Sequence, residues 1–236
     1  MANKKKYTKK PAQKKSSNGW IFLAVGIVAA LAAILIFSGA FEGKKDTAEN
    51  DIDYSGQPFL GDENAPVEMI EFGDYKCPAC KNFNEQLFPV IEKELIDTGK
   101  VKFYFMNYAF INVDSERSAK FAEAVYKELG SETFWKFHHK LYEEQPADHG
   151  AEKQDIFTED KLTSILAGVS SESDAEKVKA AYTKDAADKA FETDKDLVSE
   201  LGVKSTPTLF VDGEEFTGKS LDDLKKMVED AAKEKK

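Results

Sequence analysis

Two cysteines, Cys77 and Cys80, and three histidines, His138, His139 and His149, are all that 236 residues hold of either type. So few thiols exclude a disulfide-stapled scaffold, and the pair closes too short a loop to serve as a structural staple. A zinc site needs four ligands, and the adjacent His138 and His139 point in different directions on a helix. No tetrahedral set is on offer, so no metal ligands are assigned to these residues. No EF-hand pattern occurs either, although the many carboxylates of an exported chain leave a structural Ca2+ ion open. There is no internal repeat, and no lipid-attachable cysteine follows the one long apolar run, since Cys77 lies some forty residues beyond it, which excludes a lipoprotein.

Net charge changes sign along the chain. The chain carries −10 overall, and seven lysines without an acid in the first forty residues leave −17 for the rest. An acidic body of that size argues against nucleic acid or an anionic lipid surface as a partner. Residues 1–19 form a basic segment, and Trp20–Phe37 holds eighteen apolar or small residues in a row. That length suits a membrane span, and the lysine-rich flank places residues 1–19 in the cytoplasm and everything after Ser38 outside. Ser38–Ala40 has the small residues of a secretory cleavage site, but the run exceeds the usual h-region, so span length favours an uncleaved signal anchor. Either reading exports the remainder. Residues 38–64 are polar and irregular and read as a linker. Residues 65–236 suffice for one sizeable core.

The pattern along that core places the cysteines. "APVEMIEFGDY" predicts a buried strand at about Val67–Phe72, and the C-x-x-C follows directly. Phe83, Leu87, Val90, Ile91 and Leu95 then repeat at helical spacing, with Pro89 as a kink and Gly99 as a stop. Val101, Phe103 and Phe105 alternate as a second strand, which makes a β-α-β unit with parallel pairing. Several helices follow between about 112 and 202, one of them capped by Thr158. "TPTLFVDG" and "EEFTG" then form a hairpin across Asp212-Gly213, and a terminal helix is capped by Ser220.

The chain resembles the thioredoxin superfamily, specifically the DsbA-like thiol–disulfide oxidoreductases of the membrane-anchored Gram-positive type. The resemblance covers roughly Pro66 to the C-terminus. It rests on Cys77-Pro78-Ala79-Cys80 opening a helix after a strand, on the helical insertion, and on Thr206-Pro207 before a downstream strand. It implies an α/β thioredoxin fold whose β-α-β and β-β-α halves are separated by a helical domain, all preceded by the transmembrane helix. It also implies no cofactor beyond a redox-active Cys77–Cys80 disulfide. Pro207 is then expected in cis against the C-x-x-C. The Thr206 backbone would pair with an extended substrate segment, beside Pro78 and Ala79.

The chemistry follows from the residues as well. Cys77 falls at a helix N-terminus, where free N–H groups and the helix dipole favour a thiolate. Cys80, one turn on, is expected to be buried with a higher pKa and to resolve the mixed disulfide on Cys77. Pro78 fits the first helical turn. Lys76 either adds positive potential or is simply solvated, and Asp74 reads as a loop residue. Ala79 departs from strong oxidants of the family by offering only its backbone N–H. Glu71 and Glu68 are three apart on one strand and so on opposite faces, and one of them must point inward. If Glu71 is the buried one, desolvation raises its pKa, and a matching acid in the family shuttles a proton for the resolving cysteine.

The expected function is therefore an extracytoplasmic dithiol oxidase. It would act on exported proteins with free thiols and be reoxidised by a quinone-linked DsbB-type membrane thiol oxidase. A reductase would favour a Cys-Gly-Pro-Cys centre, and an isomerase an added dimerisation domain. Neither is present. A non-redox binding or chaperone module on the envelope is the alternative from a different class.

Overall fold

The computed structural model describes residues 52–182 and 185–235. The basic segment, the Trp20–Phe37 run and the anchor reading attached to them lie outside these residues. Among the described residues no helix is long and apolar enough to cross a membrane.

One sheet organises the chain, with strands in the order β1-β3-β2-β4-β5. These are β1 (Phe59–Leu60), β2 (Val67–Gly73), β3 (Val101–Asn107), β4 (Thr208–Val211) and β5 (Glu214–Glu215). β2 and β3 are parallel from Val67↔Val101 to Gly73↔Asn107, as a β-α-β crossover requires. β4 runs antiparallel to β2, with Glu71 opposite Leu209. Both faces of β2 are covered, which is why it reads as a nearly continuous apolar run. Val67 and Met69 pack into one core with Phe103 and Phe105, while Ile70 and Phe72 pack into the other with Tyr104 and Met106.

β1 and Ile52, Gln57 fall within the stretch read as a linker, yet Ile52 and Gln57 are buried. A two-residue strand is too short to show periodicity. It is held by tertiary contacts: Phe59 pairs with Tyr104, and Tyr54 stacks on the same ring at 4.4 Å.

The helix after the cysteines, α1 (Pro78–Asn82), continues through a π turn (Phe83–Leu87) into α2 (Phe88–Ile91) and a second π turn (Glu92–Ile96). Pro89 does not break it. The Phe88 N–H bonds to the Phe83 carbonyl five residues back, and this widened turn accommodates the missing proline donor.

The insertion comprises α3 (Val113–Glu143), a 3-10 turn (His149–Lys153), α4 (Glu159–Val169), α5 (Glu172–Tyr182) and α6 (Asp185–Glu200). α3 is two helical runs joined at Gly130, whose φ of 81° lies in the left-handed region that glycine tolerates. Thr158 caps α4 as the sequence predicts, its hydroxyl accepting from Lys161 N at 3.3 Å. Asp212 (φ 46°) and Gly213 (φ 81°) make the tight turn between β4 and β5. Ser220 and Asp223 form a capping box for α7 (Leu221–Glu234). This is the thioredoxin fold with an inserted helical domain.

Candidate active site

β2 ends at Gly73, and a short turn delivers Cys77 to the N-cap of α1 with an extended backbone (φ −76°, ψ 120°) and Pro78 at the first helical position. The turn is fixed from within. The Asp74 carbonyl accepts from Cys77 N at 2.9 Å, and its carboxylate accepts from Lys76 N at 2.8 Å and from Phe110 N at 2.9 Å. Asp74 does lie in a loop, but it is buried and ties that loop to the segment after β3. Gln145 Nε2 donates to the Tyr75 carbonyl at 2.5 Å, which fixes the turn from the end of the insertion's first helix.

The two thiols, both free, sit in different environments. Cys77 Sγ reaches the Thr206 carbonyl at 3.4 Å, and the Thr206–Pro207 peptide is cis. The Cys80 thiol donates to Cys77 and, against the effect of burial, holds it at about 6, down from an ordinary 9.0. The Thr206 hydroxyl and the backbone N–H groups of Cys80 and Ala79 act in the same direction. That hydroxyl is buried and makes no full hydrogen bond among the described residues. Cys80 is sealed at 0% exposure, and burial pushes its thiol well above 9.0, assisted by Cys77 and Glu71. Ala79 is exposed and Pro78 half-buried, so the outer surface of the C-x-x-C is small and apolar.

Glu71 is the inward-facing acid of the pair: it is 0% exposed, whereas Glu68 is half-buried. Strand parity puts Glu71 on the same face of β2 as Val67 and Met69, whose core also contains both cysteines. Neither carboxylate oxygen has a hydrogen-bond partner among the described residues. Burial first, and the Cys77 charge second, raise its pKa well above 4.5.

Lys76 is not the solvated surface residue that the sequence suggests: it is 2% exposed and forms an ion pair with the fully buried Asp114 at 3.0 Å. Its ammonium also donates to the carbonyls of Ala151 (2.9 Å) and Gln154 (2.8 Å), so all three protons are used. Asp114 in turn accepts from Ile156 N and Phe157 N. This knot straps the segment 151–157 to the residue beside the nucleophile. No local sequence signal marks it, because Asp114 lies far along the chain in another element.

A second polar cluster also escaped the sequence reading. Asp194 of α6, Glu123 of α3, Asn107 of β3 and Gln57 are all buried. Asn107 Nδ2 donates to Glu123 at 2.8 Å and to Asp194 at 2.9 Å, and Gln57 Nε2 donates to Asp194 at 2.9 Å. The amide oxygens of Gln57 and Asn107 remain without partners among the described residues. Burial raises Asp194 to about 6 and Glu123 well above 4.5, the latter helped by the Asp194 charge. His138 is a core residue, with Nδ1 3.0 Å from the Tyr75 hydroxyl, and His139 pairs with Asn84.

Comparison with known proteins agrees with this architecture. A family model described as Thioredoxin matches residues 53–230. Disulfide bond formation protein D of Bacillus subtilis is 35% identical over 195 residues, 82% of this chain and 85% of that protein. A probable disulfide bond formation protein D of Bacillus cereus is 34% identical over 212 residues, 88% of this chain and 95% of that one. The crystal structure of oxidised BdbD from Bacillus subtilis matches with a TM-score of 0.69 at 38% identity, covering 76% of this chain and 95% of that chain. With its C-x-x-C at the head of α1 and its helical insertion, the chain belongs to the thioredoxin family, as a DsbA-like, BdbD-like member.

Proposed function

We propose that the chain is an extracytoplasmic thiol–disulfide oxidase, anchored through Trp20–Phe37, that donates a Cys77–Cys80 disulfide to exported proteins with free thiols. The observation that carries this reading is the asymmetry of the pair: a Cys77 thiol held at about 6 beside a Cys80 thiol pushed far up. A thiolate favoured by the fold stabilises the reduced form over the disulfide, and that makes an oxidant.

In the reaction, a substrate thiolate attacks Cys77 Sγ. The Cys77–Cys80 bond breaks, and Cys80 leaves with the electron pair and takes a proton from Glu71. A second substrate thiolate attacks the substrate sulfur of the mixed disulfide, and Cys77 leaves as a thiolate, which its low pKa favours. Two electrons and one substrate disulfide result. A quinone-linked DsbB-type membrane thiol oxidase then withdraws the electrons. The Thr206 backbone, with Pro207, Pro78 and Ala79 around it, receives the extended substrate segment.

The Cys80→Ala variant tests this reading. It is expected to accumulate reductant-sensitive mixed disulfides with exported proteins through Cys77, and a growing cell that yields none would defeat the oxidase reading. A potential as low as that of cytosolic thioredoxin, about −270 mV, would instead favour the reductase alternative.

We also propose that the Glu123–Asp194–Asn107–Gln57 cluster holds a structural Ca2+ ion. Two buried carboxylates, with the Asn107 and Gln57 amides turned so that their partnerless oxygens replace the nitrogens now facing them, would supply an all-oxygen donor set that suits a hard cation. Turning the Asn107 amide so that its oxygen faces the carboxylates would be repulsive without a cation and favourable with one. Bound there, the ion would neutralise the pair and fix α6 to β3. In the full chain, Ca2+ at a hundredfold over its Kd is expected to add about 2.7 kcal/mol of stability. That gain should vanish in the Glu123→Gln/Asp194→Asn variant, and no rise in Tm with Ca2+ would refute the site.

A further inference from the structure

Tyr142 lies in the last turn of α3 and is completely buried, its ring 5.1 Å from Tyr75 and 5.1 Å from His138. Lys81 of α1 fixes that turn by donating to the Tyr142 carbonyl at 2.9 Å and the Glu143 carbonyl at 3.1 Å. Buried phenols ordinarily find a hydrogen-bond partner. The Tyr142 hydroxyl has none among the described residues. Its neighbour Tyr75 is different, because that hydroxyl is engaged with His138 Nδ1 at 3.0 Å.

The position of the free hydroxyl is set by Gly73. A Cβ on Gly73 would lie 2.9 Å from Tyr142 Oη and 2.4 Å from Phe105 Cε2, so only glycine leaves room for the phenol at the end of β2. Glu71 lies two residues back on the same strand face, about 7 Å along the strand. Both of its oxygens lack partners as well. Burial pushes the Tyr142 pKa well above 10.0, and the charges of Cys80, Glu71, Tyr75 and Asp74 act in the same direction. The phenol therefore stays protonated and remains a donor, while buried His138 is kept neutral.

We propose that Tyr142 is a positioning residue for the Cys80–Glu71 proton transfer, its O–H group donating to the negative charge as that charge passes between the two. This inference rests on the oxidase reading and deepens it. When the Cys77–Cys80 bond breaks, the electron pair leaves on Cys80 Sγ, the Glu71 proton moves to that sulfur, and Glu71 becomes a carboxylate. The Tyr142 hydroxyl stabilises whichever group carries the charge and keeps its own proton throughout. Glu71 regains its proton from solvent before the next cycle.

The test uses the oxidised full chain, a dithiol peptide substrate, and exchange rates measured between about pH 5 and pH 9. Tyr142→Phe removes one oxygen and keeps the ring. It is expected to slow exchange at neutral pH by roughly ten- to a hundredfold, the worth of one hydrogen bond to a charged group. It should also move the limb of the pH profile that Glu71→Gln abolishes, while the titration of Cys77 near 6, read by thiolate absorbance, stays in place. The double variant with Glu71→Gln should be no slower than Glu71→Gln alone. Tyr75→Phe, equally buried but with its hydroxyl engaged on His138, is the control for a merely structural effect and should leave the profile unshifted. An unshifted profile in Tyr142→Phe, an equal shift in Tyr75→Phe, or fully additive losses with Glu71→Gln would overturn the proposal. A wild-type chain that does not oxidise the peptide removes the underlying reading, and this inference with it.

Discussion

Asp114→Asn is expected to lower the stability of the folded chain by about 3–5 kcal/mol, because it leaves the buried Lys76 ammonium without its ion-pair partner. For a domain of this size that loss corresponds to a fall in Tm of roughly 6–20 °C. Lys76 and Asp114 are 2% and 0% exposed, and the pair is closed at 3.0 Å. The informative control removes both charges. Lys76→Met/Asp114→Leu is expected to recover most of the loss, since a buried pair is often no more stabilising than apolar side chains of similar volume. Thermal unfolding of the single and double variants checks both outcomes. If Asp114→Asn unfolds at the wild-type temperature, the pair contributes no more than an exposed one.

Acidification is expected to slow attack by the reduced protein about tenfold per pH unit once the pH is below the Cys77 pKa of about 6. The nucleophile is the thiolate, and its fraction falls in that proportion. The same titration acts on the redox equilibrium. The folded pKa lies below the ordinary thiol value of 9.0, so ionised Cys77 stabilises the folded reduced form fully above about 9, and that contribution disappears as the pH falls through about 6. At neutral pH, roughly one pH unit above the folded value, it favours the reduced form by about 1.4 kcal/mol, or about 30 mV. Comparing reduced with oxidised protein cancels, to first order, the carboxylates common to both. Equilibration with glutathione at pH 5 and pH 7 measures the difference, and a potential that follows the two-proton slope throughout would place the Cys77 pKa outside this range.

The parts of the site that were legible from the sequence are local or periodic. Cys77, Pro78 and Cys80 lie within one helical turn, and a strand followed by a helix is enough to place them at its head. Glu71 was recoverable because alternation along β2 forces either it or Glu68 inward. What escaped depends on contacts between distant elements. Asp114 meets Lys76, and Asp194 meets Asn107, only after the insertion has packed back on the sheet. Lys76, read alone, is an ordinary surface lysine. β1 carries no periodic signal, and Gly73 looks like a strand end until Tyr142 and Phe105 are placed beside it.

The insertion bears on engineering as well as on chemistry. Asp114, Gln145 and Tyr142 all come from it or from its immediate border, and each bonds to or packs against the floor of the Cys77 turn. It is therefore a load shared across the active site, not a detachable module. Moving Cys77-Pro78-Ala79-Cys80 onto a minimal thioredoxin frame would carry over the helix cap and the nucleophile. It would leave behind the buried strap and the phenol, so chimaeras should exchange the insertion and the C-x-x-C segment as one cassette.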